Sequence, residues 1–151
     1  MSDFRERLRR LRREAHVPER ELAQLLNITA EAYIKYETGK REPCMERLIL
    51  LAQRFGVSAD YLAGRTEEPT PYPGSKYPEK SLFPERLRVL RKAKKLYQRQ
   101  LAADVGLVER AVGRYEMGER RPRLDRLIVI ADYFDASIDY LLGIKDTPER
   151  R

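Results

Sequence analysis

One cysteine, one histidine and no tryptophan occur in 151 residues. Cys44 alone closes no internal disulfide, and with His16 it falls short of the three or four ligands of a zinc site. Cys44 reads as a small residue near a helix start and His16 as a loop residue, so neither a metal nor a cofactor is expected. Long apolar runs are missing too: nothing approaches the roughly 20 residues that cross a bilayer. The N-terminal MSDFRERLRR has no hydrophobic segment behind its charges, as a secretory signal would. These absences predict a cytoplasmic protein without membrane contact. No catalytic residue is expected, because the lone His has no nucleophile or acid that the sequence pattern brings to it. A glycine loop that could cradle phosphate is absent as well.

Charge is what the chain has in quantity: 36% of its residues carry one, for a net +7 and a pI near 9.6. A basic balance favours a polyanionic partner. Residues 1–64 hold twelve Lys and Arg against ten Asp and Glu, and residues 65–82 three against three. Residues 83–151 hold sixteen against eleven, so the excess lies mainly in the second half.

KYETGKREP at 35–43 returns as RYEMGERRP at 114–122. The echo extends without a gap from residues 4–64 to residues 83–143 at a constant offset of 79, with 26 of 61 pairs identical. The chain is therefore a tandem duplication, with expected domains at 1–64 and 83–143. Between them RTEEPTPYPGSKYPEKSL (65–82) contains Pro69, Pro71, Pro73 and Pro78, a composition that favours an extended linker. Fully extended, it would reach on the order of 50 Å. Tyr72 and Tyr77 offer the alternative of packing it onto a domain. The charged tail at 144–151 is expected to fray.

A copy of about 60 residues must build its core without disulfide or metal, and helices do this most readily. Phe4, Leu8 and Leu11 fall at i, i+4 and i+7, and Phe83, Leu87 and Leu90 repeat the stripe. RELAQLL and RQLAADV suit a second helix, closed by Asn27 or Gly106, residues that tolerate a left-handed backbone. TAEAYIKYE and VERAVGRYE suit a third, MERLILLAQRF and LDRLIVIADYF a buried fourth, and a fifth runs from Ser58 or Ser137 to Gly64 or Gly143. The expected fold is all-α: two tandem domains of five short helices joined by a Pro-rich linker.

Ala23, Asn27 and Tyr33, with Ala102, Gly106 and Val112, match the small, turn and buried apolar positions of a helix-turn-helix. Each copy also carries an LxxLR run (Leu8, Leu11, Arg12; Leu87, Leu90, Arg91). A YExGxRxP loop (Tyr36 to Pro43; Tyr115 to Pro122) and a DYLxG ending (Asp60 to Gly64; Asp139 to Gly143) complete the pattern. On these motifs, which span about 122 residues, the chain resembles a tandem lambda-repressor-like, XRE-type DNA-binding protein. The resemblance implies structural ion pairs Arg12–Glu37 and Arg91–Glu116, tying the first helix to the third.

It also implies a transcriptional regulator, a repressor in the first instance, associated with the nucleoid and bound to double-stranded DNA. The third helix would enter the major groove with its first turn toward base edges. In copy one that turn offers Ala30, Glu31, Ile34 and Lys35, and in copy two Glu109, Arg110, Gly113 and Arg114. Arg110 and Arg114 are four apart on one helix face, and each can present its fork to guanine O6 and N7. Gly113 is open to two readings, close approach to the duplex or a small residue on an exposed face. Phosphate contacts fall to Lys40 and Arg41 in copy one, and to Gln98, Arg120, Arg121 and Arg123 in copy two. Copy one has Pro18 and Glu19 where the family pattern has a cap and Gln, and an acid there opposes phosphate. Three arrangements stay open: an intramolecular pseudo-dimer, a homodimer through the fifth helix, or a protein-binding antitoxin or anti-repressor in which one copy no longer binds DNA.

Overall fold

The computed structural model describes residues 3–150. In copy one the helices are α1 (Phe4–Glu14), α2 (Glu19–Leu26), α3 (Ala30–Thr38), α4 (Met45–Phe55) and α5 (Ala59–Leu62). In copy two they are α6 (Phe83–Ala93), α7 (Gln98–Val105), α8 (Glu109–Glu116), α9 (Leu124–Tyr133) and α10 (Ile138–Leu142). The described residues contain no strand, in agreement with the helical spacing of the apolar residues.

Local chemistry sets the boundaries. The Asp3 carboxylate accepts the Glu6 N–H at 3.1 Å to open α1, and Thr29 Oγ1 accepts the Ala32 N–H at 3.1 Å to open α3. Asn27 (φ 57°) and Gly106 (φ 75°) make the left-handed turns that let α3 and α8 cross α2 and α7. Phe4 and Leu8 bury the α1 stripe against Leu22, Leu48 and Leu62, and Phe83 and Leu87 do so against Leu101, Leu127 and Leu141. Removing one such leucine to Ala costs about 2–5 kcal/mol, enough to threaten a unit this small. His16 sits at φ 57° in the α1–α2 turn, and Cys44 is the N-cap of α4.

The chain is held beyond each DYLxG ending. The buried Arg7 guanidinium lies 4.2 Å from the Tyr61 ring centre and donates to the carbonyls of Tyr61 (2.6 Å) and Thr66. Arg86 repeats this on Tyr140 and the carbonyls of Tyr140 and Lys145. The Ser58 N–H donates to the Pro69 carbonyl at 3.0 Å, and the Ser137 N–H to the Pro148 carbonyl at 2.9 Å. The tail up to that proline is therefore bound where fraying was expected. Helix starts leave N–H groups without partners, and the proline segments, which lack donors, still supply carbonyls. The segment between the copies is also pinned, so the extended 50 Å tether is not what forms. Tyr77 donates its hydroxyl to the Val57 carbonyl at 2.8 Å, and the Lys76 N–H donates to the Ile144 carbonyl at 2.9 Å. Lys145 stacks on Tyr72 at 4.6 Å.

The copies meet through carboxylates at helix starts. Asp60 accepts the N–H groups of Ile138 and Asp139, both at 3.0 Å, while Asp139 accepts those of Ala59 (2.8 Å) and Asp60 (3.1 Å). Arg121 pairs with Glu46 at 3.2 Å, and Glu42 accepts the Asp125 N–H at 3.1 Å. Leu62 and Leu141 lie buried in the cores of their own copies, and the starts of the two fifth helices are joined within one chain through Asp60 and Asp139. Asp139 is pushed well above the usual carboxyl range by burial and by the neighbouring Asp60. Asp60 is equally buried, yet its bond with Asp139, the Arg65 charge and the backbone donors outweigh burial and hold it below that range. Among the described residues no helix is long and apolar enough to cross a membrane.

Candidate nucleic-acid interface

Two ion pairs fix the third helix of each copy from beneath. Arg91 donates Nε and Nη2 to the two carboxylate oxygens of Glu116 at 2.6 and 2.9 Å, and Glu116 is buried. Arg12 grips Glu37 in the same two-pronged way at 2.6 and 3.0 Å. Burial alone would raise the Glu116 carboxyl, but hydrogen bonds from Arg91 and Gln98 and the charges of Arg91 and Arg88 hold it low.

A third partner differs between the copies. Glu37 also accepts the hydroxyl of buried Tyr33 at 2.5 Å, whereas Val112 stands at that position in copy two. Glu116 instead accepts from Gln98 Nε2 at 3.2 Å, whereas copy one has Glu19 there, 4.0 Å from Arg12. Gln98 thus has one amide hydrogen directed inward. Gly113 leaves it room: a Cβ at that position would come within 3.3 Å of Gln98 Oε1. Burial pushes the Tyr33 hydroxyl far above its ordinary range, and the Glu37 hydrogen bond adds to this.

The outer face of α8 exposes Glu109, Arg110 and Arg114, with Gly113 half-buried between them. Among the described residues no hydrogen bond or ion pair occupies the guanidinium of Arg110 or Arg114. Beside them stand two apolar side chains that the family motifs do not single out, Val108 (70% exposed) and Met117 (69%), while Tyr97 (62%), at the cap position of the family pattern, is exposed at the start of α7. Val108 and Met117 line one depression together with Arg110, Gly113, Arg114 and Gln98. Their signal is in the self-alignment, because copy one has Thr29 and Thr38 at these places. In copy one Glu31, Ile34 and Lys35 are exposed and Ala30 is half-buried.

Lys40, Arg41, Arg120 and Arg123 are exposed on the loops after the third helices. Arg121 is exposed as well but is engaged with Glu46 of copy one, which gives it a role between the copies. Glu42 stands at the equivalent place in copy one, and burial together with Asp125 raises its carboxyl.

A family model described as HTH_3, helix-turn-helix, matches residues 8–62 and again 87–141. The HTH-type transcriptional regulator YobD of Bacillus subtilis, which bears the word uncharacterized in its name, is 43% identical over 68 residues, 45% of this chain and 61% of its own length. The HTH-type transcriptional regulator AnsR of the same organism is 45% identical over 60 residues, 39% of this chain and 51% of its own. The cryptic phage CTXphi transcriptional repressor RstR of Vibrio cholerae is 39% identical over 67 residues, 44% of this chain and 60% of its own. The match thus spans about half to three fifths of these relatives. No solved structure matches the chain at comparable significance.

Proposed function

The chain belongs to the HTH_3 helix-turn-helix family, and from that premise we propose that it is a sequence-specific double-stranded DNA-binding transcriptional regulator acting as a repressor. Helix α8 is the principal reader and lies in the major groove. Arg110 and Arg114 each present two donors to a guanine, worth about 1–3 kcal/mol of discrimination per base. Val108 and Met117 lie against thymine methyl groups, the apolar feature of that groove. Glu109 accepts from cytosine N4, and Gly113 lets the helix approach. Arg120 and Arg123 hold phosphates, as does the second amide hydrogen of Gln98. Copy one contributes Ala30, Glu31, Ile34 and Lys35 to its own base contacts and Lys40 and Arg41 to the backbone. The two copies of one chain take the places of the two subunits of a dimer, and an occupied operator is closed to other proteins.

The observation that carries this reading is the pair of unengaged arginines on the exposed face of a helix held by a buried ion pair. Selection of bound sequences from random duplex DNA at fixed salt tests it. A recurrent guanine-containing motif is expected from the intact chain, weakened at defined bases by Arg110→Ala or Arg114→Ala. Bound pools without a motif would refute it.

A second reading, protein binding by copy one, is favoured by Glu31 beside the exposed Ile34 and by Glu19 at the phosphate-facing position. Substituting α3 in the intact chain separates the two. Unchanged DNA affinity after Glu31→Ala, Ile34→Ala and Lys35→Ala together would assign copy one to a protein partner.

A further inference from the structure

The contacts between the copies come in equivalent sets. Adding the offset of 79 turns Ala59 into Ile138, Asp60 into Asp139, Glu42 into Arg121 and Glu46 into Asp125. The bonds from Ala59 and Asp60 to the Asp139 carboxylate then become the bonds from Ile138 and Asp139 to the Asp60 carboxylate. The Glu42–Asp125 contact likewise becomes the Arg121–Glu46 contact. A contact in which i meets j while j's counterpart meets i's is the mark of a twofold axis, since head-to-tail docking joins two different surfaces. Copies stacked for direct repeats would not exchange carboxylates in this way. Residues 42 and 121 lie in the loops directly after α3 and α8, so the reading helices flank the axis.

Resting on the reading of α3 and α8 as groove-binding helices, we propose that one chain binds one duplex carrying two dissimilar half-sites in inverted orientation. A twofold axis gives the two helices opposite polarity along the duplex, and centres one helical turn apart, about 34–36 Å, let both enter the same side. The half-sites differ because the surfaces do. Arg110 and Arg114 of copy two stand where copy one has Glu31 and Lys35, so only the copy-two half carries the paired guanine contacts. A symmetric palindrome fits such a chain in one half only, and the protein sits on its operator in a single direction.

The test uses the intact chain and the motifs returned by selection, with the two half-sites placed as inverted or direct repeats or alone. The inverted arrangement at one-turn spacing should bind roughly a hundredfold more tightly than either half alone, because the second contact becomes intramolecular. The direct arrangement should bind no better than its stronger half. Asp60→Ala with Asp139→Ala should erase the advantage of the inverted arrangement while leaving single-half affinity unchanged. Glu46→Gln, which removes the charge paired with Arg121 and keeps an oxygen for the Ser81 N–H, should reduce that advantage and serves if the double variant does not fold. Equal binding of direct and inverted arrangements, or tighter binding by two chains to a palindrome of the copy-two half, would overturn the proposal. A selection that returns no motif would instead overturn the DNA reading on which it rests.

Discussion

Copy one and copy two share a fold, an ion pair and 26 of 61 residues, yet the outer faces of their third helices differ. Copy two exposes two free arginines among apolar side chains, whereas copy one exposes Glu31, Ile34 and Lys35. Beneath those surfaces the same carboxylate is completed in two ways, by a tyrosine from within α3 or by a glutamine from the start of α7. The scaffold demands a satisfied buried carboxylate and is indifferent to which residue completes it. That freedom lets copy two carry Gln98 where copy one carries Glu19.

The largest expected effect tests that scaffold. Glu116→Ala should cost roughly 3–5 kcal/mol of stability, because it strands a partly buried guanidinium. Glu37→Ala should cost at least as much, since it strands Arg12 and also the hydroxyl of fully buried Tyr33. Denaturant unfolding of the intact chain measures both, and a negligible cost at Glu37 would break the comparison.

The acids between the copies occupy equivalent positions but titrate in opposite directions. Asp60→Asn should cost roughly 1.5–3 kcal/mol, the worth of hydrogen bonds to a charged group, and Asp139→Asn about 1 kcal/mol. Because Asp60 is depressed, its contribution is present above the ordinary carboxyl value and is lost as pH falls through its lowered value. Because Asp139 is raised, its contribution is complete below the ordinary value and is lost as pH rises through the raised one. The junction is therefore tightest between these limits. Thermal unfolding across pH should show both limbs, and Asp139→Asn should shrink the alkaline limb to the part that the raised Glu42 supplies while leaving the acid limb.

Binding comes next in size. Arg110→Ala and Arg114→Ala should each cost about 1–3 kcal/mol on the selected site and relax base preference. Equal losses from Glu31→Ala and Lys35→Ala would abolish the functional difference between the copies. Arg120→Ala should weaken all sequences alike and flatten the salt dependence. Arg121→Ala should change the slope less, because its charge is already paired with Glu46.

The smallest effect is at Val108, a helix start whose side chain caps nothing, where copy one has the capping Thr29. Val108→Ser should raise stability by about 1 kcal/mol through the new cap while weakening thymine-containing sites. Weaker binding that persists when the thymines are replaced by deoxyuridine would remove the methyl contact from the account.

The duplication, the helical class and the left-handed turns at Asn27 and Gly106 were legible in the sequence, because each depends on spacing or on one residue's backbone freedom. The docking of the copies was not. Asp60 and Asp139 read as parts of an ending motif, and nothing in one chain's pattern says that a carboxylate will cap the other copy's helix. The bound tail was missed for a related reason, because Pro69 and Pro148 also stand 79 apart yet proline reads first as a breaker. On the α8 face, charge drew attention to Arg110 and Arg114. Val108 and Met117 escaped it because an apolar residue reads as core until burial is known.

Guanine N7 methylation interference on the selected operator, with the intact chain, tests the central claim most directly. If α8 lies in the major groove, methylation of specific guanines in one half-site should block binding, and Arg110→Ala or Arg114→Ala should each abolish one of those effects. Binding indifferent to N7 methylation throughout the site, in the parent chain as in both variants, would contradict it.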